Sequence, residues 1–406
     1  MNVNIIEGGV CAAEGFVAGG IHAGIRKGKQ KKDLSVIFSK KIATAAAVYT
    51  TNKVKGAPLT VTKNNIANGK AQAVICNSGN ANTCNANGIE IAEEMCALLA
   101  GELKIDKTDV VVASTGVIGQ PLSIEPIKNA LPTLCASLAK DGSVSAAEGI
   151  MTTDTKLKEI AVSFEIGGKL CKMGGICKGS GMIHPNMATM LVFVTTDCAI
   201  SAEMLSKALS GDVQNTFNMI SIDGDTSTND MVTVLANGMA GNDMISAEGE
   251  DFEIFMKALN TVTVNLCRKI AADGEGATKL LECEVIGAKD TANAKIIAKS
   301  VICSSLVKAA MFGADANWGR ILCAIGYSGA EVDVTKVDVS FKSRKGEIPV
   351  CSKGAGVDFS EEFAKEILLE NEITIAVKLG DGEGKSTAWG CDLTYDYVKI
   401  NGDYRT

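Results

Sequence analysis

One run of the sequence has the residue types of a self-processing nucleophile, KGSGMIHPNMATML over residues 178–191. Ala188 stands directly before Thr189, and the run also holds His184, one of only two histidines in the chain. If the Thr189 hydroxyl attacked the Ala188 carbonyl and the ester then hydrolysed, Thr189 would become a new N-terminus. Such a threonine combines a hydroxyl nucleophile with its own amine as base. The residues alone equally allow a buried threonine at the start of the apolar strand MLVFV.

A second segment offers groups that stabilise negative charge on oxygen. Acyl transfer needs hydrogen-bond donors directed at the oxyanion that develops in the transition state. In STGVIG, residues 114–119, Thr115 supplies a hydroxyl and Gly116 a backbone amide that no side chain shields. The same residues also fit an ordinary turn between a strand and a helix, so both interpretations stay open at this point.

Three further residues have the chemistry to hold a charged amino acid. Lys178 can pair with a carboxylate, and Glu275, in the Gly-flanked loop DGEGATK, can accept an ammonium group. Thr152, in MTTDT, offers a hydroxyl. Each of the three, considered alone, also fits a solvated surface position.

Composition narrows the classes of function. Two histidines and 14 cysteines without a CxxC pair make a zinc site unexpected, so we expect no metal. The net charge of −7 argues against nucleic-acid and anionic-membrane partners. No basic leader opens the chain, and its longest apolar runs are too short to span a bilayer. We therefore expect a cytoplasmic protein with reduced, mostly buried cysteines.

The elements that must position these residues mix helices and strands. Strand-like runs at 72–76 and 110–113 each precede a polar, Gly-containing loop, and such loops commonly carry binding groups. Apolar residues recur every three or four positions over 255–270, which predicts a helix that ends near Asp273 and Gly274, with the glycine relieving the backbone.

The C-terminal part shows the same mixture. Ser360 is typical of an N-cap, and the helix that follows should direct Phe363 and Ile367 inward. Alternating apolar residues predict half-buried strands at 373–379 and 337–341. The fold class is therefore mixed α/β (α+β).

The sequence resembles the ornithine acetyltransferase family of arginine biosynthesis, also called glutamate N-acetyltransferase. The likeness covers nearly the whole chain in order, and several of its blocks are rare outside the family. One departure follows NSGNAN, where TCNANG replaces a short Ala-Cys-Thr-Gly type segment. The blocks that carry the likeness are AAVYTTNKVKGAPL, NSGNAN, ASTGVIG, MTTDT, KGSGMIHPNMATML, DGDTSTND, DGEGATK, KAAMFGADANWGRI and WGCDLTYDYVKINGDYRT.

The resemblance implies roles for particular residues. It implies cleavage between Ala188 and Thr189, with Thr189 as the nucleophile that accepts the acetyl group, and an oxyanion hole formed by Thr115 and Gly116. It also implies a set of substrate-binding residues that is spread along the chain. These are Thr152, Lys178, Thr189, Glu275, Asn401 and Thr406.

The resemblance further implies an architecture. It is a layered α-β-β-α sandwich of the self-cleaving ornithine acetyltransferase/aminopeptidase type, with a smaller C-terminal α/β lobe. Cleavage would give an α chain, 1–188, and a β chain, 189–406, of 406 − 188 = 218 residues. Residues 189–284 would complete the catalytic core, and about 285–406 would form the C-terminal lobe. The fragments would stay associated, and the family suggests a pair of αβ units (α2β2).

The implied reaction is a ping-pong transfer without a metal or a tightly bound organic cofactor. N-acetylornithine would acetylate Thr189, ornithine would leave, and glutamate would take the acetyl group as N-acetylglutamate. Some members also accept acetyl-CoA as donor, and no residue decides that point here. Two rivals are a related self-cleaving aminopeptidase, which passes the acyl group to water, and a non-catalytic binding protein in which the run never cuts.

Overall fold

The structure is a computed structural model that describes residues 3–26, 28, 30–184 and 190–402. It divides the chain into two compact units. The first consists of the described residues within 1–179, 186–217 and 226–266, and the second of those within 180–185, 218–225 and 267–406.

Strands recur along the whole chain. They are β1 (Asn4–Ile6), β2 (Phe16–Ile21), β3 (Leu34–Tyr49), β4 (Lys70–Asn80), β5 (Val110–Val117), β6 (Lys158–Ile166), β7 (Lys169–Lys178), β8 (Leu191–Thr196), β9 (Ile220–Ser221), β10 (Met231–Ala236), β11 (Leu280–Ala288), β12 (Asp338–Ser343), β13 (Gly346–Ser352), β14 (Ala355–Gly356), β15 (Glu372–Lys378) and β16 (Gly384–Cys391).

Helices alternate with these strands. They are α1 (Ala57–Asn65), α2 (Gly88–Leu103), α3 (Glu125–Ala136), α4 (Ser143–Ile150), α5 (Ala202–Val213), α6 (Glu250–Ala272), α7 (Thr291–Cys303), α8 (Ser305–Phe312), α9 (Trp318–Gly326), α10 (Glu361–Leu368) and α11 (Tyr395–Asn401). Among the described residues, no helix is both long and apolar enough to cross a membrane.

The sheet of the first unit has nine strands within the described residues, in the order β1-β6-β7-β8-β10-β3-β4-β5, with β2 beside β3. Strands β4 and β5 are buried on both faces. Val111 and Ala113 belong to one apolar cluster with Ala147 of α4, whereas Val110 and Val112 belong to another with residues of α2. This double burial explains why both strands read as continuous apolar runs rather than alternating ones.

The two strands predicted near 72–76 and 110–113 are confirmed, but both extend further than expected. β4 continues to Asn80 and β5 to Val117, so Thr115 and Gly116 lie at the end of a strand and not in the loop after it. The polar residues stay in extended conformation because the parallel pairing of β4 with β5 continues through them. The loop predicted over 114–119 therefore begins later than expected, after Val117.

The long helix predicted from its period is confirmed as α6, which ends at Ala272. Phe255, Leu259 and Ile270 on its apolar face are fully buried. Gly274 has another role than the one expected, because a Cβ there would lie only 2.7 Å from the Cys391 sulfur. It allows close packing within the second unit.

The sheet of the second unit has seven strands within the described residues, in the order β14-β13-β12-β15-β11-β16-β9. The alternation predicted for β15 is confirmed, and Ser360 caps α10 by accepting a hydrogen bond from the Phe363 amide. Ile367 is fully buried, as expected. Phe363 is wrong as a core residue, since 37% of it is exposed and its ring lies over Gly346.

Both units mix helices with a sheet, which confirms the mixed α/β class. All 14 cysteines are free thiols, and most of them are buried, as the sequence predicts. The fragment boundary at 188/189 and the C-terminal lobe from about residue 285 stay predictions. In the structure, the continuous C-terminal part of the second unit begins at Cys267, and Val285 lies within β11.

Candidate active site

The predicted oxyanion residues lie where β5 ends. Thr115 pairs with Ser78 and Gly116 with Gly79 of β4, next to an irregularity in the pairing at Asn80. Thr115 and Gly116 are both partly exposed, whereas the residues before them are buried. The strand therefore brings these two residues out of the core at a fixed position.

Gly116 could not be replaced by another residue without moving the backbone. Its φ of 129° lies in the region that favours glycine, and a Cβ would lie 2.3 Å from the Gly79 carbonyl carbon and 2.6 Å from the Asn80 nitrogen. The two strands thus approach each other closely here, and the amide of Gly116 has no side chain of its own beside it.

Buried amides hold the segment that precedes Thr115. The Asn229 side-chain nitrogen donates to the Ser114 carbonyl oxygen at 3.0 Å, and the Ser114 hydroxyl donates to the Asn77 side-chain oxygen at 2.5 Å. Asn229 in turn accepts from the Thr83 hydroxyl at 2.6 Å. Because hydrogen-bonded buried amides are costly to disrupt, they fix the end of β5 in one arrangement.

Lys178 lies at the end of β7, and Leu191 at the start of β8 is its partner across the antiparallel pair. Leu191 also pairs with Met231 of β10. β8 begins two residues after Thr189 in the sequence, so the register places Lys178 and the start of β10 beside the strand that follows the predicted nucleophile. Lys178 is only 8% exposed, which contradicts a solvated surface position.

Thr152 lies in the loop between α4 and β6 and is partly exposed. Its backbone nitrogen donates to the Asp154 carboxylate at 3.0 Å. The same carboxylate accepts from the Gly179 backbone nitrogen at 2.8 Å and from the Lys158 ammonium at 2.7 Å. Thr152 and the end of β7 are therefore joined through one buried acid.

Two buried carboxyl groups interact electrostatically with Lys178, and they differ in charge state. Burial alone would raise the pKa of Asp154, but the Lys158 and Lys178 ammoniums and the hydrogen bonds to it hold that pKa below its ordinary value. At Asp230, burial raises the pKa well above the ordinary value, and Ser227 and Lys178 offset this only in part. Burial thus favours a neutral Asp230, whereas the neighbouring ammoniums and hydrogen bonds favour an ionised Asp154.

In the second unit, Glu275 and Asn401 are brought together. The Asn401 side-chain nitrogen donates to a Glu275 carboxylate oxygen at 2.7 Å. Glu275 is buried, its backbone nitrogen donates to the Ser180 carbonyl at 2.8 Å, and its carboxylate lies against Gly181, where a Cβ would come within 2.4 Å of it. Burial excludes a solvated surface position for Glu275 as well.

Ala188, Thr189 and Thr406 lie outside the described residues, so their predicted roles stay predictions. Sequence reasoning missed Asp154 and Asn229, which hold the predicted residues in place. The available signal was weak: each is a polar residue inside a block of the family likeness, MTTDT and DGDTSTND.

The chain is similar over its whole length to curated relatives. The sequence model of the ArgJ family matches residues 17–406. The "Arginine biosynthesis bifunctional protein ArgJ" of Caldanaerobacter subterraneus subsp. tengcongensis is 52% identical over 405 residues, which cover 100% of both chains. The "Arginine biosynthesis bifunctional protein ArgJ 1" of Clostridium acetobutylicum is 52% identical over 392 residues, 96% of each chain.

Among solved structures, the crystal structure of the "Arginine biosynthesis bifunctional protein argJ" from Bacillus halodurans is similar, with 47% identity and a TM-score of 0.50. The match covers 52% of this chain and 97% of that one. The full-length identity and the family match agree with the residue blocks on which the resemblance rests. The chain belongs to the ArgJ family.

Proposed function

We propose that this chain transfers an acetyl group from N-acetylornithine to glutamate through an acetyl ester on Thr189. The main support is a hydrogen bond between β5 and the segment that leads into β10, the strand that pairs with β8. Asn229, two residues before the partner of Leu191, bonds to the carbonyl directly before Thr115. The segment directly before the predicted oxyanion residues is thus hydrogen-bonded to the segment that leads into β10, the strand paired with β8.

The chemistry follows from residue types. Once the Ala188–Thr189 bond is cut, the Thr189 amine takes the proton of its hydroxyl, and the oxygen attacks the acetyl carbonyl. An α-amine has a pKa of roughly 7.7 to 8.0, so a useful fraction is neutral near pH 7. Thr115 and Gly116 stabilise the oxyanion. The C–N bond then breaks, and ornithine leaves with the proton. In the second half-reaction the amine of glutamate attacks the ester carbonyl, and the bond from that carbonyl to the Thr189 oxygen breaks. The proton lost by the attacking amine returns to the Thr189 oxygen, and N-acetylglutamate leaves.

Substrate recognition rests on opposite charges. N-acetylornithine carries an α-carboxylate and a side-chain ammonium group, and glutamate carries an α-carboxylate and an α-ammonium group. Lys178 has the charge to hold the carboxylate and Glu275 the ammonium group, with Thr152, Asn401 and Thr406 as further contacts. Asp154 pairs with Lys158 and also interacts electrostatically with Lys178, so one carboxylate faces two ammonium groups and a net positive charge remains for a substrate carboxylate.

Cleavage into two associated fragments, paired as α2β2, is part of the same proposal. The solved Bacillus halodurans chain is matched over 97% of its own length by 52% of this chain, about 211 of 406 residues. That relative's chain is therefore about half as long as this one. A β chain that begins at Thr189 would have 406 − 188 = 218 residues, which is a similar length.

Use of acetyl-CoA as a second donor is also proposed, since both curated relatives described above are named bifunctional. Such a donor would acetylate the same Thr189 oxygen and release the thiol of CoA. It would act as a co-substrate and not as a resident cofactor. Glutamate would again be the acceptor, so one ester intermediate serves both routes.

Product analysis tests the proposal. The protein is incubated with N-acetylornithine labelled in the acetyl group, with and without glutamate, and the labelled products are separated. We expect labelled N-acetylglutamate that depends on glutamate. Labelled free acetate as the main product in both samples would instead support the aminopeptidase-type hydrolase. The absence of any labelled product would refute both the transferase and the hydrolase activity.

A further inference from the structure

We infer that Asp154 is a positioning residue for substrate binding, which holds Thr152 and Lys178 in place through one buried carboxylate. The inference rests on the substrate-binding roles proposed above for those two residues. Asp154 itself is not among the residues that the resemblance implies. Its side chain has no exposed surface, so it acts through its neighbours and not by touching substrate.

The geometry of the carboxylate carries the inference. One oxygen accepts from the Lys158 ammonium at 2.7 Å and from the Gly179 amide at 2.8 Å, and the other accepts from the Thr152 amide at 3.0 Å. Gly179 follows Lys178 directly. The two hydrogen bonds from backbone amides therefore fix the backbone at Thr152 and at Gly179, and Gly179 lies 25 residues after Asp154 in the sequence.

The charges around Asp154 explain why an acid is needed at this position. Lys158 is 1% exposed and Asp154 is fully buried, so each would be strongly destabilised without the other. Together they form a neutral pair. Lys178, which lies directly before Gly179, adds a positive charge that interacts electrostatically with Asp154 and with Asp230, whose anionic form burial disfavours. That charge is suited to a substrate carboxylate.

Asp154→Asn keeps the shape but removes the charge and one of the two acceptor oxygens. A side-chain NH2 would then face a backbone amide or an ammonium, and at least one of the three bonds would be lost. We expect KM for N-acetylornithine and for glutamate to rise about tenfold each, while kcat falls less than about threefold, because binding rather than the chemical step is impaired.

Asp197→Asn is the matched control. Asp197 is also buried, and it also accepts from two backbone amides, those of Lys172 at 2.7 Å and Glu14 at 2.8 Å. It supports the same strand, β7, but at a distance from Lys178 along the chain. A purely structural role predicts the same kinetics for both variants. We expect the control to leave both KM values within about twofold of the wild type.

A second variant covers the case in which Asp154→Asn removes the carboxylate beside the buried Lys158 ammonium and the protein fails to fold. The double variant Asp154→Asn/Lys158→Gln removes both buried charges together, which proteins tolerate better than one alone. It should show the same rise in KM. In a Lys178→Met background, Asp154→Asn should raise KM much less than in the wild type, because residues that act together are not additive.

Calorimetric titration with ornithine separates this inference from the proposed reaction. Binding is measured without any transfer, so Asp154→Asn should weaken it about tenfold whether or not N-acetylglutamate is made. Wild-type affinity in both Asp154 variants, or an equal loss in Asp197→Asn, would overturn the positioning role. If Asp154→Asn weakens ornithine binding as expected but the wild type forms no N-acetylglutamate, the proposed function is wrong and the positioning role stands.

Discussion

The side-chain nitrogen of Asn229 lies 3.0 Å from the carbonyl oxygen of Ser114, 115 positions away in the sequence. Ser114 is followed by Thr115, the predicted oxyanion donor. Met231, two residues after Asn229, pairs with Leu191 at the start of β8. One hydrogen bond thus joins the end of β5, which carries the predicted oxyanion donor, to the segment that leads into β10, the partner of β8. β5 and β8 themselves are not neighbours in the sheet.

Removing this bond should impair the chemical step. In Asn229→Ala, the Ser114 carbonyl and the Thr83 hydroxyl lose a buried partner, and we expect kcat to fall about tenfold. Steady-state kinetics check this result. Asn65→Ala is the control, because the Asn65 amide donates to the carbonyl of Val110, at the other end of β5, at 2.8 Å. Equal losses of kcat in the two variants would refute a specific role for Asn229.

Thr115 should contribute through its hydroxyl. In Thr115→Ala we expect kcat to fall by about 10²-fold or more, which is typical for loss of an oxyanion donor. Thr115→Ser retains the hydroxyl and should recover most of the rate. Single-turnover measurement of ornithine release reports the acylation step directly. A rate near that of the wild type in Thr115→Ala would rule out the donor role.

Local patterns in the sequence predicted part of this arrangement well. The period of α6 and the alternation of β15 arise from one apolar face, and such a face is visible within a short window. Ser360 was identifiable as a cap because capping involves residues three positions apart. The prediction that Phe363 is buried was wrong because the helical period does not show which side chains a strand covers. The Phe363 ring lies over Gly346 at a surface.

The supporting residues of the site could not be predicted in this way. Asn229 and Ser114, like Asp154 and Gly179, meet only because the sheet brings distant segments together. The extension of β5 through Thr115 likewise depends on pairing with β4, where Gly79 leaves room for Gly116. Side-chain type alone indicated the chemistry of Lys178 and Glu275 but not their burial.

Glu275 should act through its charge. Glu275→Gln keeps an oxygen that can accept from Asn401 but removes the negative charge. We expect KM for N-acetylornithine to rise about tenfold or more, because a charged hydrogen bond to the ammonium becomes a neutral one. Initial-rate kinetics measure this. The control is Glu282→Gln, whose carboxylate binds Arg268 and the Trp389 indole. It should leave KM unchanged, and an equal rise there would contradict the assignment.

His184 should make the protein less stable in acid. Burial, and then the Lys299 ammonium, lower the pKa of His184 to about 4, whereas a histidine in the unfolded chain titrates near about 6.5. Between these values the unfolded state binds more protons, so the free energy of unfolding falls as the pH drops from about 6.5 to about 4.

Thermal melting of two variants checks this effect. In His184→Gln the fall in Tm from pH 7 to pH 5 should be smaller than in the wild type. His22→Gln, which changes the chain's other and exposed histidine, should keep the full fall. An unchanged pH dependence in His184→Gln would show that another group is responsible.

The intact mass of the purified protein shows directly whether Thr189 becomes a free N-terminus. We expect two fragments, of 188 and 406 − 188 = 218 residues, with the larger beginning at Thr189. We also expect Thr189→Ala to remain one chain without transferase activity. A wild-type protein that transfers acetyl groups as a single 42.2 kDa species would contradict the proposed mechanism, because Thr189 would then have no free amine.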